Sequence, residues 1–171
     1  MAARQTKMKS KSPHLSRVET NHLVLPSHAN ALGTLFGGIL MSWIDIAAAI
    51  SAQRHSGSIC VTAGVDALYF ISPIFVGDAV TIVAQVVHTG RTSMIVDVNV
   101  TRSTPGSHGS LHCVRSALSL VALDRSRKPT AVSPLELKTP ADKYRYRMAG
   151  KRREFLLERL RAEAKQVKYR L

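Results

Sequence analysis

The chain has few of the residues on which several classes of protein depend. Only two of its 171 residues are cysteines, Cys60 and Cys113, with no C-x-x-C motif and no histidine at ligand spacing. We therefore expect two free thiols in a reducing compartment rather than a disulfide framework. The seven histidines also show no ligand spacing, so no metal is expected. The absence of a G-x-S-x-G motif argues against a Ser-His-Asp hydrolase.

Long hydrophobic runs are missing as well. The longest apolar stretch, 39–52, is shorter than the roughly 20 residues that a membrane span needs, and it contains an acid. The N-terminus has no apolar segment typical of a signal peptide, although its basic, acid-free composition loosely resembles a mitochondrial transit segment. We therefore expect a cytoplasmic protein without a membrane partner, with the mitochondrial matrix as the less favoured alternative.

Acidic side chains are scarce, 11 against 24 Lys and Arg, and the net charge is +13. The excess lies at the two ends, because residues 1–17 carry +5 and residues 138–171 carry +8, whereas 18–137 is neutral. Basic ends suit an acidic partner such as nucleotide phosphate, or simply keep the chain in solution. Aromatic residues make up only 5% and no RNP-like motif is present, so specific nucleic-acid binding is not expected.

The length predicts one domain with a tail and an extension. Residues 1–16 are polar and basic and predict a disordered tail, and residues 17–137 predict the folded domain. Residues 138–171 predict a basic C-terminal helical extension, and its apolar face would be formed by Leu156, Leu160, Ala164 and Val167.

The folded domain has one helical segment among strands. A strand over 17–26 precedes a helix over 37–54, which is apolar around its circumference. Strand patterns then follow, at 58–73, 79–88, 94–100 and 111–123. This order predicts an α+β fold in which an antiparallel sheet wraps around a buried central helix. Because one sheet of this size cannot cover the helix on every side, we expect a dimer that completes its burial.

Asp45 lies in the middle of that apolar helix, after glycines at 33, 37 and 38. Burial of an unpaired carboxylate is costly, so we expect Asp45 to be paired, hydrogen-bonded or protonated. The residue types leave two interpretations open. Asp45 is either a catalytic base in a partly desolvated site, or an acid that bonds a neighbouring backbone group or a partner helix.

Several longer motifs occur in order along the chain. They are N-A-L-G-T-L-F-G-G-I-L-M-S-W-I-D at 30–45, V-T-A-G-V-D-A-L-Y-F at 61–70, P-I-F-V-G-D at 73–78 and T-G-R-T-S-M at 89–94. Over residues 17–125 the chain resembles the hot-dog-fold acyl-CoA thioesterases, and most closely the cytosolic acyl-CoA hydrolase branch. The resemblance implies hydrolysis of acyl-CoA to fatty acid and CoA without a cofactor. It also implies a homodimer as the minimal unit, assembled as a trimer of dimers.

The resemblance assigns catalytic roles to Asp45 and Asn30. Asp45 would be the general base that activates water or, less favoured, a nucleophile, and Asn30 would be the catalytic amide. In this family the Asn and the Asp of one site come from opposite subunits, which places the site at a dimer interface. The structural alternative for Asn30 is a turn or cap residue.

Two backbone segments complete the expected site. Gly37 and Gly38 begin the helix, where unpaired N–H groups can bind a thioester oxygen, or where a tight entry turn is simply required. A CoA-binding segment is expected at the turn of Gly90, Arg91, Thr92 and Ser93, because the family contacts the CoA nucleotide near such a turn. Arginine suits phosphate there, and an ordinary hairpin turn is the alternative.

Two other functions remain open. A hot-dog hydratase or dehydratase would resemble its family in an Asp/His pair at the start of the central helix, but no histidine lies within 37–54. A non-catalytic acyl-CoA-sensing module would need a DNA-binding segment. Residues 1–16 are too short for one and lack a helix-turn-helix pattern.

Overall fold

A computed structural model of the chain describes residues 8–166. Its five strands are β1 (Val18–Leu23), β2 (Ile59–Phe70), β3 (Ala79–Thr89), β4 (Ser93–Ser103) and β5 (Leu111–Leu123). Its two long helices are α1 (Gly37–Ser56) and α2 (Pro140–Gln166). The strands form one antiparallel sheet in the order β1-β3-β4-β5-β2, with β1 and β2 at the edges. The predicted α+β fold, with one helix packed on an antiparallel sheet, is confirmed.

The core lies between α1 and the inner face of the sheet. Seven helix residues on one side are buried: Leu40, Ile44, Ala47, Ala48, Ser51, Ala52 and His55. They pack against alternate residues of the central strands, including Val80, Ile82, Val96, Val98, Leu118 and Leu120. Small alanines in the helix let it approach the sheet closely, and Gly57 ends the helix in a left-handed conformation with φ 71°.

The opposite side of α1 is not covered by its own chain. Met41 is 45% exposed and Ile46 is 53% exposed, and Asp45 between them is exposed too. A sheet of this size was expected to leave part of the helix uncovered, and the single chain does so. The burial of the helix and of Asp45 by a second subunit stays a prediction.

Part of the segment predicted as a disordered tail, residues 11–16, packs against the folded domain. The backbone of Lys11 pairs with Pro134 and Glu136, and its Nζ donates to the carbonyl of His55 at the C-terminal end of α1 (2.6 Å). The 3-10 turn Pro13–Ser16 follows, and Ser16 Oγ accepts the backbone N–H of Val86 (3.0 Å). These contacts anchor the segment. Residues 1–7 of the predicted tail lie outside the described residues.

Helix α2 packs on the outer face of the sheet with a different side from the one expected. Tyr146 stacks on His88 of β3 with ring centroids 4.5 Å apart, and Ala149 is buried. Leu156 is only half-buried and Leu160 is 50% exposed, while the side chain of Ala164 and all of Val167 lie outside the described residues. The expected face therefore does not make the main contact. Neither helix of the described chain is long and apolar enough to cross a membrane.

Candidate functional site

Asn30 lies in the loop before α1, and its amide group is fixed by the loop itself. Its Oδ1 accepts the backbone N–H groups of Leu32 (2.9 Å) and Thr34 (3.2 Å), and its Nδ2 donates to Thr34 Oγ1 (2.9 Å). Gly33 makes this tight turn with φ 74°, a conformation that favours glycine. A carboxamide nitrogen has two N–H groups, and Thr34 Oγ1 takes one. The second is suited to donate to a carbonyl oxygen or a water molecule.

A cavity of about 370 Å³ lies beside Asn30. One side is formed by Asn30, Thr34 and the start of α1. The facing wall is formed by the last residue of β2, Phe70, and by the four residues that follow it, Ile71, Ser72, Pro73 and Ile74. The cavity therefore places an amide donor next to apolar walls.

Asp45 lies on the uncovered side of α1 and is held by one strong hydrogen bond. Thr62 Oγ1, from β2, donates to Asp45 Oδ1 at 2.6 Å. A short hydrogen bond to an ionised acceptor is stronger than one between neutral groups. The bond fixes the carboxylate orientation and leaves Oδ2 for another partner. Hydrogen bonding, and not burial within the chain, is thus what accommodates this acid.

A second cavity, of about 410 Å³, is lined in part by Asp45 and Thr62. Its remaining lining is mostly apolar and includes Met41, Ile44, Val65, Leu68 and Leu118. Such a cavity can hold a hydrocarbon chain beside a carboxylate. The sequence reasoning missed Thr62, although the residue lies within the V-T-A-G-V-D motif, because only the packing of β2 against α1 shows which residue of that motif meets Asp45.

The first turn of α1 separates the two cavities. Gly37 lines the Asn30 cavity, whereas Gly38 lines the Asp45 cavity. Neither cavity is lined by both Asn30 and Asp45, so a single chain does not bring the two predicted catalytic residues together. The helix begins after Phe36 with no side-chain cap, so the first amide groups have no partner within the helix and carry its positive dipole end.

The turn of Gly90, Arg91, Thr92 and Ser93 lines neither cavity of its own chain. Its backbone closes through the Gly90 N–H and the Ser93 carbonyl (2.8 Å), and Arg91 is exposed. β3 starts near the Asn30 end of the sheet and spans roughly 35 Å at about 3.3 Å per residue before it reaches this turn. Contact of this segment with the CoA nucleotide stays a prediction. Within one chain the segment lies at the opposite end of β3 from Asn30, and it does not line the Asp45 cavity.

Two histidines pack around Trp43 near the Asn30 loop. The ring of His22 stacks on Trp43 with centroids 4.2 Å apart, and His28 meets the same ring edge-on at 5.3 Å. Burial lowers the pKa of His22 below its ordinary value, and the nearby His28 lowers it further. In the described residues, no group of three or more His, Cys, Asp or Glu side chains is arranged to hold a metal ion.

The architecture, a long helix on a five-stranded antiparallel sheet, matches that of hot-dog thioesterase structures. The thioesterase superfamily model matches residues 32–107. An uncharacterized acyl-CoA thioester hydrolase of Zymomonas mobilis is 34% identical over 113 residues, 66% of this chain and 76% of that protein. The chain belongs to the thioesterase superfamily, and the family predicted from the sequence is confirmed.

Solved structures show the same likeness. An apo-hexameric acyl-CoA thioesterase is 38% identical with a TM-score of 0.86, covering 90% of this chain and 98% of its own. An acyl-CoA hydrolase from Staphylococcus aureus, solved with butyryl coenzyme A and coenzyme A, is 36% identical with a TM-score of 0.84, covering 92% and 95%. Some relatives are longer, and the chain spans 24% of two mammalian coenzyme A thioesterases.

The Staphylococcus aureus hydrolase has also been solved with single alanine replacements of an asparagine, an aspartate and a threonine. Those three positions are separated by 15 and 17 residues along its chain. Asn30, Asp45 and Thr62 have the same residue types at the same separations. The spacing indicates that these three residues are the counterparts in this chain.

Proposed function

We propose that the chain is an acyl-CoA thioesterase in which Asp45 is the general base. The observation that carries the proposal is the carboxylate of Asp45, held by Thr62 at 2.6 Å inside a largely apolar cavity of about 410 Å³. Asp45 takes a proton from water while the water oxygen forms a bond to the thioester carbon. The tetrahedral intermediate then breaks its C–S bond, the proton taken up by Asp45 passes to the CoA sulfur, and CoA and the fatty acid are released.

The developing oxyanion needs donors, and two sources are available. Asn30 has an N–H group that is not used by Thr34, and the amide groups of Gly37 and Gly38 lie at the positive end of α1. Because Asn30 and Asp45 line different cavities, we infer that each site combines Asn30 of one subunit with Asp45 of another. A homodimer is then the minimal catalytic unit.

The uncovered surfaces of the chain support this dimer. The exposed side of α1 carries Met41 and Ile46, and the adjacent edge strand β2 carries exposed Ile59 (69%) and Val61 (44%). A second copy that packs here would bury both surfaces and pair an open sheet edge. Several related structures are hexameric, which favours a trimer of such dimers for this chain.

The geometry disfavours a hydratase or dehydratase. The nearest histidine on α1 is His55, ten residues after Asp45 and so about 15 Å along the helix axis. Its ring nitrogen bonds the carbonyl of Ser133 (2.8 Å), and burial lowers the pKa of His55. It is therefore a packed core residue and not the partner of Asp45. A cytoplasmic location and CoA binding by residues 90–93 stay predictions.

The test is release of free thiol from acyl-CoA esters of increasing chain length. Asp45→Asn should keep the fold and lose about 10²–10⁴-fold in kcat, the range of a general base. Asn30→Ala should lose about 10²–10³-fold, the scale of one oxyanion donor. The matched control is Glu19→Gln, the same carboxylate-to-amide change at an exposed residue of β1, which should leave kcat unchanged.

The outcomes separate the candidate functions. Wild-type rates in Asp45→Asn would remove the proposed base from the mechanism. Binding of CoA esters without thiol release at any chain length would contradict the proposed thioesterase activity and support a non-catalytic acyl-CoA-sensing module. The preferred chain length of the wild type would report the depth of the apolar cavity.

A further inference from the structure

A buried carboxylate outside both cavities accepts three hydrogen bonds. Asp78, 1% exposed, lies in the turn before β3. Its Oδ2 accepts the backbone N–H of Phe75 (2.8 Å) and Nη1 of Arg102 (3.1 Å), and its Oδ1 accepts Thr104 Oγ1 (2.7 Å). The Arg102 guanidinium also lies over the Phe75 ring, 5.4 Å from its centroid. The side chain thus fixes the backbone at Phe75.

The segment at Phe75 is joined directly to the Asn30 loop. Phe75 forms an antiparallel bridge with Thr34, and the Leu35 N–H donates to the carbonyl of Ile74 (2.8 Å). Thr34 in turn holds Asn30 through its side chain (2.9 Å) and through its carbonyl, which accepts the Asn30 N–H (2.8 Å). A continuous series of hydrogen bonds therefore runs from Asp78 to the amide of Asn30.

The chemistry of this anchor is unusual for a purely stabilising contact. A buried ion pair contributes little net stability compared with apolar side chains of similar volume, because both charges must be desolvated. The carboxylate instead fixes the orientation of its neighbours, because its two oxygens hold three donor groups in fixed positions.

We propose that Asp78 is a positioning residue for Asn30, acting through Phe75 and Thr34. The inference rests on the proposed role of Asn30 as a donor to the thioester oxygen. The cavity wall at Ile71 and Ser72 is held separately by the Cys113 carbonyl (2.8 and 3.4 Å). Loss of Asp78 should therefore displace Asn30 more than the wall, and lower kcat more than it raises KM.

The first test compares two substitutions of Asp78. Asp78→Ala removes the acceptor for Phe75, and kcat should fall about 10–100-fold, the scale of an ångström-sized misplacement, with KM within about threefold. Asp78→Asn retains the shape and an oxygen for the Phe75 N–H, so kcat should remain within about threefold of wild type. Ser16→Ala is the control, because it removes a buried acceptor of the Val86 N–H away from both cavities and should leave kcat unchanged.

The second test is a double-mutant cycle on purified enzyme. If Asp78 acts through Asn30, then adding Asp78→Ala to Asn30→Ala should cause less than a threefold further loss in kcat. If the loss in kcat of the double variant equals the product of the two single losses, the positioning role is overturned, while the catalytic role of Asn30 stands. Wild-type kcat in Asn30→Ala would overturn the proposed role of Asn30 and the positioning role together. If Asp78→Ala fails to fold, Thr104→Val removes one of the three bonds and enters the same cycle, with an expected loss of about 3–10-fold.

Discussion

The hydrogen bond between Thr62 and Asp45 allows a quantitative prediction. Thr62→Val replaces the hydroxyl by a methyl group of nearly equal size and keeps the β-branched shape that strands favour. Because Thr62 is exposed in the chain and lies on edge strand β2, the free energy of unfolding should change by no more than about 0.5 kcal/mol. The substitution therefore isolates the loss of one donor to the carboxylate.

The magnitude follows from the geometry of that bond. A hydrogen bond to a charged group contributes about 1.5–3 kcal/mol, and the 2.6 Å separation places this one among the short, charge-assisted bonds. If its orienting effect is lost in the transition state, kcat should fall about 10–150-fold, since each 1.36 kcal/mol corresponds to a factor of ten. KM should change little because CoA itself does not touch this hydroxyl in the proposed mechanism.

Two variants serve as controls in the same thiol-release assay. Thr62→Ser restores a hydroxyl at the same position and should recover most of the activity. Thr81→Val makes the same substitution on β3, where the half-buried Thr81 donates its Oγ1 hydrogen to Oδ1 of exposed Asn21 (2.7 Å) away from both cavities, and it should leave kcat unchanged. A Thr62→Val enzyme with kcat within threefold of wild type would refute the assigned role of the bond. Equal losses in Thr62→Val and Thr62→Ser would also refute it.

Three further predictions concern helix α1 and His88. Ile44→Ala should lower the free energy of unfolding by about 2–5 kcal/mol in denaturant titrations, because Ile44 is 2% exposed in the core. Gly37→Ala should keep Tm, since a Cβ would meet the Phe70 ring at an ordinary 3.5 Å, but should lower kcat/KM because the methyl group enters the Asn30 cavity. Burial, and then the charge of Arg153, lower the pKa of His88 below its ordinary 6.5, so the unfolded chain takes up that proton at higher pH than the folded chain. Stability should therefore be fully present above pH 6.5 and fall as pH drops below it, and His88→Phe should flatten this fall in Tm measured against pH.

Local patterns in the sequence were enough to predict the elements of the sheet. β5 was predicted over 111–123 and has those bounds, because alternating residues and a Gly-containing turn define its start. β4 is longer than the predicted 94–100 and continues to Ser103. Its last residues are polar and break the alternation of apolar residues, but they still pair with β3 and β5. The periodicity of the sequence does not show this pairing.

The packing of the termini was not predictable from composition. The basic residues near Lys11 resemble those of a disordered segment, yet the backbone of that segment pairs with residues 134–136, more than a hundred positions away. Similarly, a helical period gives α2 an apolar side, but it does not show that Tyr146 and Ala149 rather than Leu156 meet the sheet. In both cases the deciding contacts are long-range.

For the candidate site too, the sequence shows the types of the residues but not how they are arranged in space. Asp45 stands out in the sequence because an unpaired acid is costly to bury in an apolar helix, whereas Asn30, a residue type common in turns, is singled out only by the family resemblance. Their separation by the first turn of α1 appears only in three dimensions, where Gly37 and Gly38 line different cavities. In the proposed dimer, the exposed acid and the exposed apolar side of α1 lie on the same interface. The chemistry of the site and the stability of that dimer would then depend on one surface, so a substitution such as Ile46→Asp, which places a charge there, should lower thiol release and dissociate the proposed dimer at the same protein concentration.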